Sequence, residues 1–318
     1  MLKALKTFTP RSTRTKIIDY FYSTPPIIRL GKLFNRLGGN VIRNILFQCS
    51  YILRKKPTVS NDQTVINAIK TLEKEGIVSI ENFLSEKEFS EIEAEYESLY
   101  PEFRESTKIK IPIQKRIFMS KSRLEACEHT KYKNSKFHQF LLNNERLNSI
   151  ISSCSKRKLN IAPTGQYSEE TYPAEKIGQK SQSKVVNPHY DIPYHSYKAF
   201  LYISDVDKTN GAFRYSLGSN RFSARRLLLE YYTSINMAES KNMEHVNFSQ
   251  STFFKEYENS MTSMIGKKNT LVIFDAKGIH QRGNFSSDKP RRMAQISYRH
   301  LESLANKHIS LIDRIVKL

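Results

Sequence analysis

The stretch that most constrains this chain is residues 185–219, VVNPHYDIPYHSYKAFLYISDVDKTNGAFRYSLGS. β-Branched and aromatic residues dominate it, and the turn-forming pair Asn210-Gly211 separates its last two apolar runs. That is the pattern of short antiparallel strands, here expected over about 198–206 and 212–217. His189 and Asp191 lie two residues apart within it. Residues i and i+2 of a strand point to the same face, so an imidazole and a carboxylate project together. A later strand-like run, LVIFDAKGIHQRG, supplies His280, 91 residues after His189. Two imidazoles and one carboxylate, with the remaining metal positions open, make the facial set that suits non-haem Fe(II). An isolated H-x-D triplet is most often a surface or turn feature. Here strand flanks, a turn, a strand-end histidine and the pair Arg291-Arg292 follow in order.

On the strand after the triplet, Lys198, Phe200 and Tyr202 share one face, and Ala199, Leu201 and Ile203 share the other. The second set suits packing under helices. The first suits a pocket wall, with Lys198 and Tyr202 as candidate binding residues for a cosubstrate or substrate. Tyr194, His195 and Asn284 are weaker candidates by proximity in sequence, and His195 is left out of the metal set.

The remaining chain supplies framing elements. Val65, Ile66, Ile69 and Leu72 predict a helix ending at Gly76, suited to the left-handed position after a helix. A short strand is expected at IVSIENFL. Ser85 with Glu88 forms a capping box, and Leu84 with Phe89 falls at staple positions, predicting a helix over 86–100. A further helix is expected over 135–151. Residues 168–183 (SEETYPAEKIGQKSQS) lack a usable period and read as a loop at the mouth of the site. Strands are expected over 270–275 and 292–299. Between the strands, 221–268 reads as a largely helical insertion serving as lid or substrate wall. In the tail, Leu304, His308, Leu311, Ile312 and Ile315 lie on one helical face.

The charge is unevenly placed. The total is +20, and residues 1–57 carry twelve Lys/Arg against the single acid Asp19, a net of +11. This divides the chain into a basic amphipathic N-terminal segment, 1–57, and a domain over 58–318. Residues 27–56 place apolar and basic residues on separate helical faces, interrupted at Gly38-Gly39. Two readings stand: a helix lying on a membrane surface, or one packed on the main domain. The apolar runs fall short of the ~20 residues that a span needs, and no apolar core of signal-peptide length is present. The three cysteines are in neither CxxC nor Cys/His spacing, which fits a reducing compartment. A cytoplasmic, membrane-peripheral location is expected. The opening composition is shared with mitochondrial transit peptides, so organellar targeting stays open.

Taken together, EGIVSIENFLSEKEFSEIEAEYESL, HYD, KAFLYISDVDKTNGAFRYSLGS and LVIFDAKGIHQRGNFSSDKPRRMAQISYR closely resemble the phytanoyl-CoA dioxygenase family of iron- and 2-oxoglutarate-dependent oxygenases, over roughly 70–300. The resemblance implies a double-stranded β-helix (jelly-roll) barrel with flanking helices. It implies Fe(II) at His189, Asp191 and His280, with 2-oxoglutarate and O2 as cosubstrates. It also implies an arginine about eleven residues past the second histidine as anchor for the distal carboxylate. That position is Arg291, whose planar fork can bind a carboxylate through two hydrogen bonds. Adjacent strand residues face opposite ways, so one of Arg291 and Arg292 enters the barrel.

The implied reaction is by default hydroxylation of an unactivated C–H bond, with desaturation and ring chemistry left open, since Asp191 fills the carboxylate position that halogenating relatives lack. Many members have Trp before the metal-binding histidine and P-G-[ST]-H after the Asn-Gly turn. Here Pro188 and Leu217-Gly218-Ser219-Asn220 stand instead. The substrate is therefore expected only as a small-molecule, a lipid-linked or a glycan-type compound, with no coenzyme A thioester carried over. Nucleic acid is not expected as a partner, because the arginines past His280 do not match the spacing of repair oxygenases. No obligate protein partner is inferred. A non-catalytic barrel acting as a scaffold is the rival of a different class, and loss of a metal ligand would favour it.

Overall fold

The structure, a computed structural model, describes residues 39–53, 61–105, 112–120, 132, 134–156, 163–177, 186–191, 195–237, 246–247 and 252–298. The expectations for 27–38, 54–56, 178–183 and the tail face at 304–315 lie outside the described residues.

Local signals set the helix ends. Helix α1 spans Gly39–Ile52 and α2 spans Gln63–Glu75. The Asp62 side chain accepts from Thr64 N at the start of α2, and Gly76 ends it at φ 79°, its N–H donating to Leu72 O. Left-handed backbone of this kind suits glycine. Strand β1 (Ile77–Ile80) leads into α3 (Glu86–Leu99), where Ser85 and Glu88 make the expected capping box. Short β2 (Arg104–Glu105) and β3 (Ile113–Ser120) follow.

The single helix expected over 135–151 is two pieces, a π-helical turn at His138–Leu142 and α4 at Glu145–Ser155. Asn144 causes the break: its side chain caps α4 by accepting from Leu147 N, an alternative that Asn offers to a continuous helix.

The loop expected from residue 168 is corrected more deeply. Residues Thr164–Thr171 form β4, inside the larger sheet. Its polarity reflects buried ion pairs rather than solvent. Glu169 and Glu170 are both buried, and each meets an arginine of the neighbouring strand.

The remaining elements are β5 (His189–Tyr190), β6 (Tyr197–Tyr202), β7 (Phe213–Ser216), α5 (Ala224–Met237), β8 (Val246–Asn247), α6 (Thr252–Asn259), β9 (Met261–Met264), β10 (Leu271–Asp275), β11 (His280–Arg282) and β12 (Arg291–Tyr298). The expected helical insertion thus ends in a strand, β9, which pairs with β7.

The strands form two antiparallel sheets, ordered β1-β10-β6-β12-β4-β3-β2 and β8-β5-β11-β7-β9. Strand alternation sorts their side chains into two cores. Ala199, Leu201, Leu271, Ile273, Ala294 and Ile296 pack with helical residues such as Leu72, Ile92 and Ile150. The opposite faces contribute Tyr202, Val272, Phe274 and Met293, which pack against Phe213 and Tyr215 of the smaller sheet. This is the jelly-roll arrangement, with the predicted division of β6 into a helix-facing and a barrel-facing side.

The chain divides into two compact units. Residues 46–226 and 245–299 hold every described strand. In the other unit, 1–45, 227–244 and 300–318, Asn44 and Glu230 are buried and hydrogen-bonded to each other. Among the described residues no helix is long and apolar enough to cross a membrane.

Candidate metal centre

His189 and His280 are partners in register across β5 and β11, their ring centroids 4.4 Å apart. Asp191 follows β5 directly. Its Oδ1 lies 3.9 Å from Nε2 of His189 and 3.7 Å from Nε2 of His280. One ligand atom from each of the three residues lies within 4.8 Å of the others, close enough to share a metal ion.

Each imidazole is oriented from behind. Nδ1 of His189 is 2.8 Å from Asn187 O, and Nδ1 of His280 is 2.9 Å from Gly278 O. A carbonyl only accepts, so both Nδ1 atoms carry the proton and the lone pair sits on Nε2, facing Asp191. That tautomer is the one a metal-ligating histidine needs.

The donor set therefore fits a divalent first-row metal. Burial opposes the charge on Asp191, but the Lys198 ammonium overcomes it and holds the carboxyl below the usual range. The ligand is ready as a carboxylate at neutral pH.

Tyr190, between the two ligands, lies under the buried Arg226 guanidinium, 4.3 Å from its ring centroid. Arg226 also donates to Ser219 O and Lys277 O, at 3.1 and 2.8 Å, tying the β5 strand to the turn before His280. Asp275, fully buried, does the same work from below. Its carboxylate takes His195 Nδ1 at 2.5 Å, Ser196 N at 3.2 Å and Lys277 N at 3.1 Å. Beside it Asp191 N donates to Ala276 O at 3.0 Å. His195 thus belongs to this support and not to the metal set.

An aromatic wall flanks the histidines. Phe213 and Phe274 lie 5.4 and 5.3 Å from the His280 ring, and Phe200 of β6 packs edge-on against both.

The two arginines of β12 part company as strand geometry requires. Arg292 turns to the helices, where it meets Glu169 and Glu97 at 2.8 Å each. Arg291 turns into the barrel and is buried. It pairs with Glu170 Oε2 at 2.5 Å and donates to Gly211 O. Arg282 of β11 reaches the same Glu170 oxygen at 3.4 Å. The Arg291 Nε atom has no hydrogen-bond partner. An anionic group fits that need.

Of the other candidates, Lys198 reaches Asp191 Oδ2 at 2.6 Å, and Tyr202 spends its hydroxyl on Met264 O at 2.6 Å. Tyr194 and its surroundings at 192–194 lie outside the described residues. The sequence reading missed Glu170 and Arg282. Arg282 was findable, since it stands two residues past His280 and must share its face. Glu170 was hidden in a stretch with no apolar alternation.

Comparison with solved structures places this fold among known barrels. The epimerase SnoN, crystallised with Fe3+, alpha ketoglutarate and nogalamycin RO, aligns with TM-score 0.50 and 12% identity over 75% of this chain and 87% of SnoN. EctD from S. alaskensis, with bound Fe, aligns with TM-score 0.50 and 15% identity over 78% of this chain and 80% of EctD. Among curated proteins, no sequence match is found. The phytanoyl-CoA dioxygenase (PhyH) model matches residues 72–293, a span holding all three candidate ligands and both β12 arginines, and the chain belongs to that family.

Proposed function

We propose that the protein is an Fe(II)- and 2-oxoglutarate-dependent dioxygenase that hydroxylates an unactivated C–H bond of a small-molecule, lipid-linked or glycan-type biosynthetic substrate. The observation that carries this is the converging set His189, Asp191 and His280, both imidazoles oriented through Nδ1 and the carboxylate kept ionised. Iron bound there, with 2-oxoglutarate and O2, supplies the oxidising power, and the 2-oxoglutarate leaves as succinate and CO2.

The chain's own residues do the rest. His189, His280 and Asp191 hold the metal on one face and leave the other open. Arg291, buried and with a partnerless Nε–H, takes the distal carboxylate of 2-oxoglutarate. Phe200, Phe213 and Phe274 keep water from the His280 side. A structural neighbour, SnoN, is an epimerase, so the fold alone does not dictate hydroxylation; the presence of Asp191 supports oxygen insertion over halogenation.

Anaerobic addition of Fe(II) and 2-oxoglutarate tests the reading. A weak visible charge-transfer band is expected in the wild type and not in His189→Ala or Asp191→Ala. A wild-type protein without the band would sink the assignment. Screening small-molecule pools for stimulated succinate release then identifies the substrate.

We also propose that the basic segment, net +11 over residues 1–57, contacts anionic membrane surfaces. Liposome sedimentation compares the full chain with one starting at Thr58, and equal pelleting ends the idea.

A further inference from the structure

We propose that Lys198 is a positioning residue of the metal centre: its ammonium holds Oδ2 of Asp191, so that Oδ1 alone is presented to a metal on His189 and His280. The inference rests on the metal-binding reading above and goes beyond it, because it concerns how the carboxylate binds.

The geometry divides the two oxygens cleanly. Oδ1 lies 3.9 and 3.7 Å from the two imidazole Nε2 atoms, while Oδ2 lies 2.6 Å from Lys198 Nζ. The main chain of Asp191 is fixed by its N–H to Ala276 O at 3.0 Å. What remains is rotation of the carboxylate about its own axis, and an ion pair to one oxygen opposes that rotation.

Lys198 is placed for this by β6. Its neighbours on the same face, Phe200 and Tyr202, join the barrel core. Phe200 packs on Phe213 and Phe274, which in turn border His280. The side chain of Lys198 is 30% exposed, so it reaches Asp191 from the open side and is replaceable without leaving a hole in the core.

The consequence for coordination is specific. A carboxylate can ligate through one oxygen or both. One oxygen leaves three positions of an octahedral metal open, enough for a chelating 2-oxo acid and O2. Two oxygens leave one too few. A cation beside the ligand also repels the metal, so the orienting ion pair and the charge repulsion act in opposite directions, and measurement can tell which prevails.

The test uses the full chain and Co(II) alone, followed by its visible d–d absorption, whose intensity reports coordination number. Removal of a group that orients a metal ligand typically costs 10–100-fold in affinity. Lys198→Met is therefore expected to bind Co(II) about 10–100-fold more weakly, with altered band intensity. Lys198→Arg, which keeps a donor for Oδ2, is expected to stay close to wild type in both. Equal or tighter binding by Lys198→Met would overturn the proposal, and tighter binding would mark the ammonium as a competitor of the metal. Equal loss in both variants would overturn it too. A wild type that binds no Co(II) would instead bring down the metal reading itself, and the role of Lys198 with it.

Discussion

Glu170 and Arg291 stand directly opposite one another on β4 and β12, and their side chains meet at 2.5 Å inside the barrel. Arg282 closes on the same oxygen from the other sheet, and Gln114 donates to the second oxygen at 2.9 Å. The bond therefore joins the two sheets as well as setting the charge of the pocket. Removing one partner of a buried pair typically costs about 3–5 kcal/mol, because the other charge is left stranded. Glu170→Gln takes away the charge that Arg291 pairs with, so a loss of about 3–5 kcal/mol is expected in urea unfolding at pH 7.

The same pair sets a pH dependence. Burial raises the Glu170 pKa, but Arg291 and then Arg282 outweigh it, and the carboxyl ends below its ordinary value. A group whose folded pKa is lowered stabilises the fold above its unfolded value, about 4.3 for Glu, and that contribution fades as pH falls through the folded pKa. The stability gap between wild type and Glu170→Gln is thus expected to be full at pH 7 and to shrink below about pH 4. A gap that stays constant to pH 2.5 would contradict the charge argument.

Arg291 and Arg292 separate binding from stability. Arg291→Lys keeps a cation for Glu170 but loses the planar fork. A hydrogen bond to a charged group contributes about 1.5–3 kcal/mol, so roughly 10- to 150-fold weaker 2-oxoglutarate binding is expected. Arg292→Met removes a partly exposed pair with Glu97 and Glu169, 31% exposed at the arginine, on the helix side. Because Glu169 is buried, its carboxylate loses its guanidinium and stability is expected to fall by about 3 kcal/mol, while 2-oxoglutarate affinity is expected to stay within about twofold. The Fe(II)–2-oxoglutarate band, titrated for both variants, checks this; matching losses would mean that Arg291 is not the anchor.

What the sequence made legible follows from where its local signals act. Gly76, Ser85 and Glu88 set helix ends through their own backbone bonds, so their positions were readable without tertiary information. His189 and Asp191 were readable because strand alternation alone puts them on one face. β4 was not, because Ser168, Glu169 and Glu170 are buried by partners more than fifty residues away in sequence, and no local period encodes that. Lys198 was readable as a barrel-facing residue, but its contact with Asp191 depends on how the chain turns after β5. The break at Asn144 illustrates the opposite case: a capping residue was present, and apolar spacing on both sides masked it.

Asp275 gathers the segments that carry the metal ligands. Its carboxylate accepts from His195, Ser196, Lys277 and, at 3.3 Å, Asn220, while its carbonyl accepts from Tyr215 Oη at 3.0 Å and Gly278 N at 2.9 Å. Burial opposes its charge, and His195 followed by Lys277 prevails, keeping the carboxyl below its ordinary pKa. Asp275→Asn turns one acceptor into a donor facing other donors. A stability loss of about 3 kcal/mol is expected, with about tenfold weaker Co(II) binding as the Gly278 carbonyl and Asp191 amide shift. Calorimetry and Co(II) titration of the variant check both. Loss of stability with unchanged metal affinity would make Asp275 a folding residue alone.

Gly278 tests how tightly the His280 ring is held from behind. A Cβ added there would lie 1.7 Å from Tyr215 Oη and 2.3 Å from its Cζ, a clash that something must relieve by moving. Tyr215 is buried, hydrogen-bonded to Asp275 O, and its ring lies nearly parallel to that of His280. The carbonyl of Gly278 is the acceptor for His280 Nδ1. Whichever side yields, the imidazole loses its orientation, so Gly278→Ala is expected to weaken Co(II) binding by about 10-fold or more. Adding Tyr215→Phe removes the closest clashing atom and costs one hydrogen bond of its own, about 1 kcal/mol. If the clash is the cause, the double variant binds Co(II) more tightly than Gly278→Ala, although Tyr215→Phe alone is mildly harmful. Additive losses in the double variant would show that the two residues act independently.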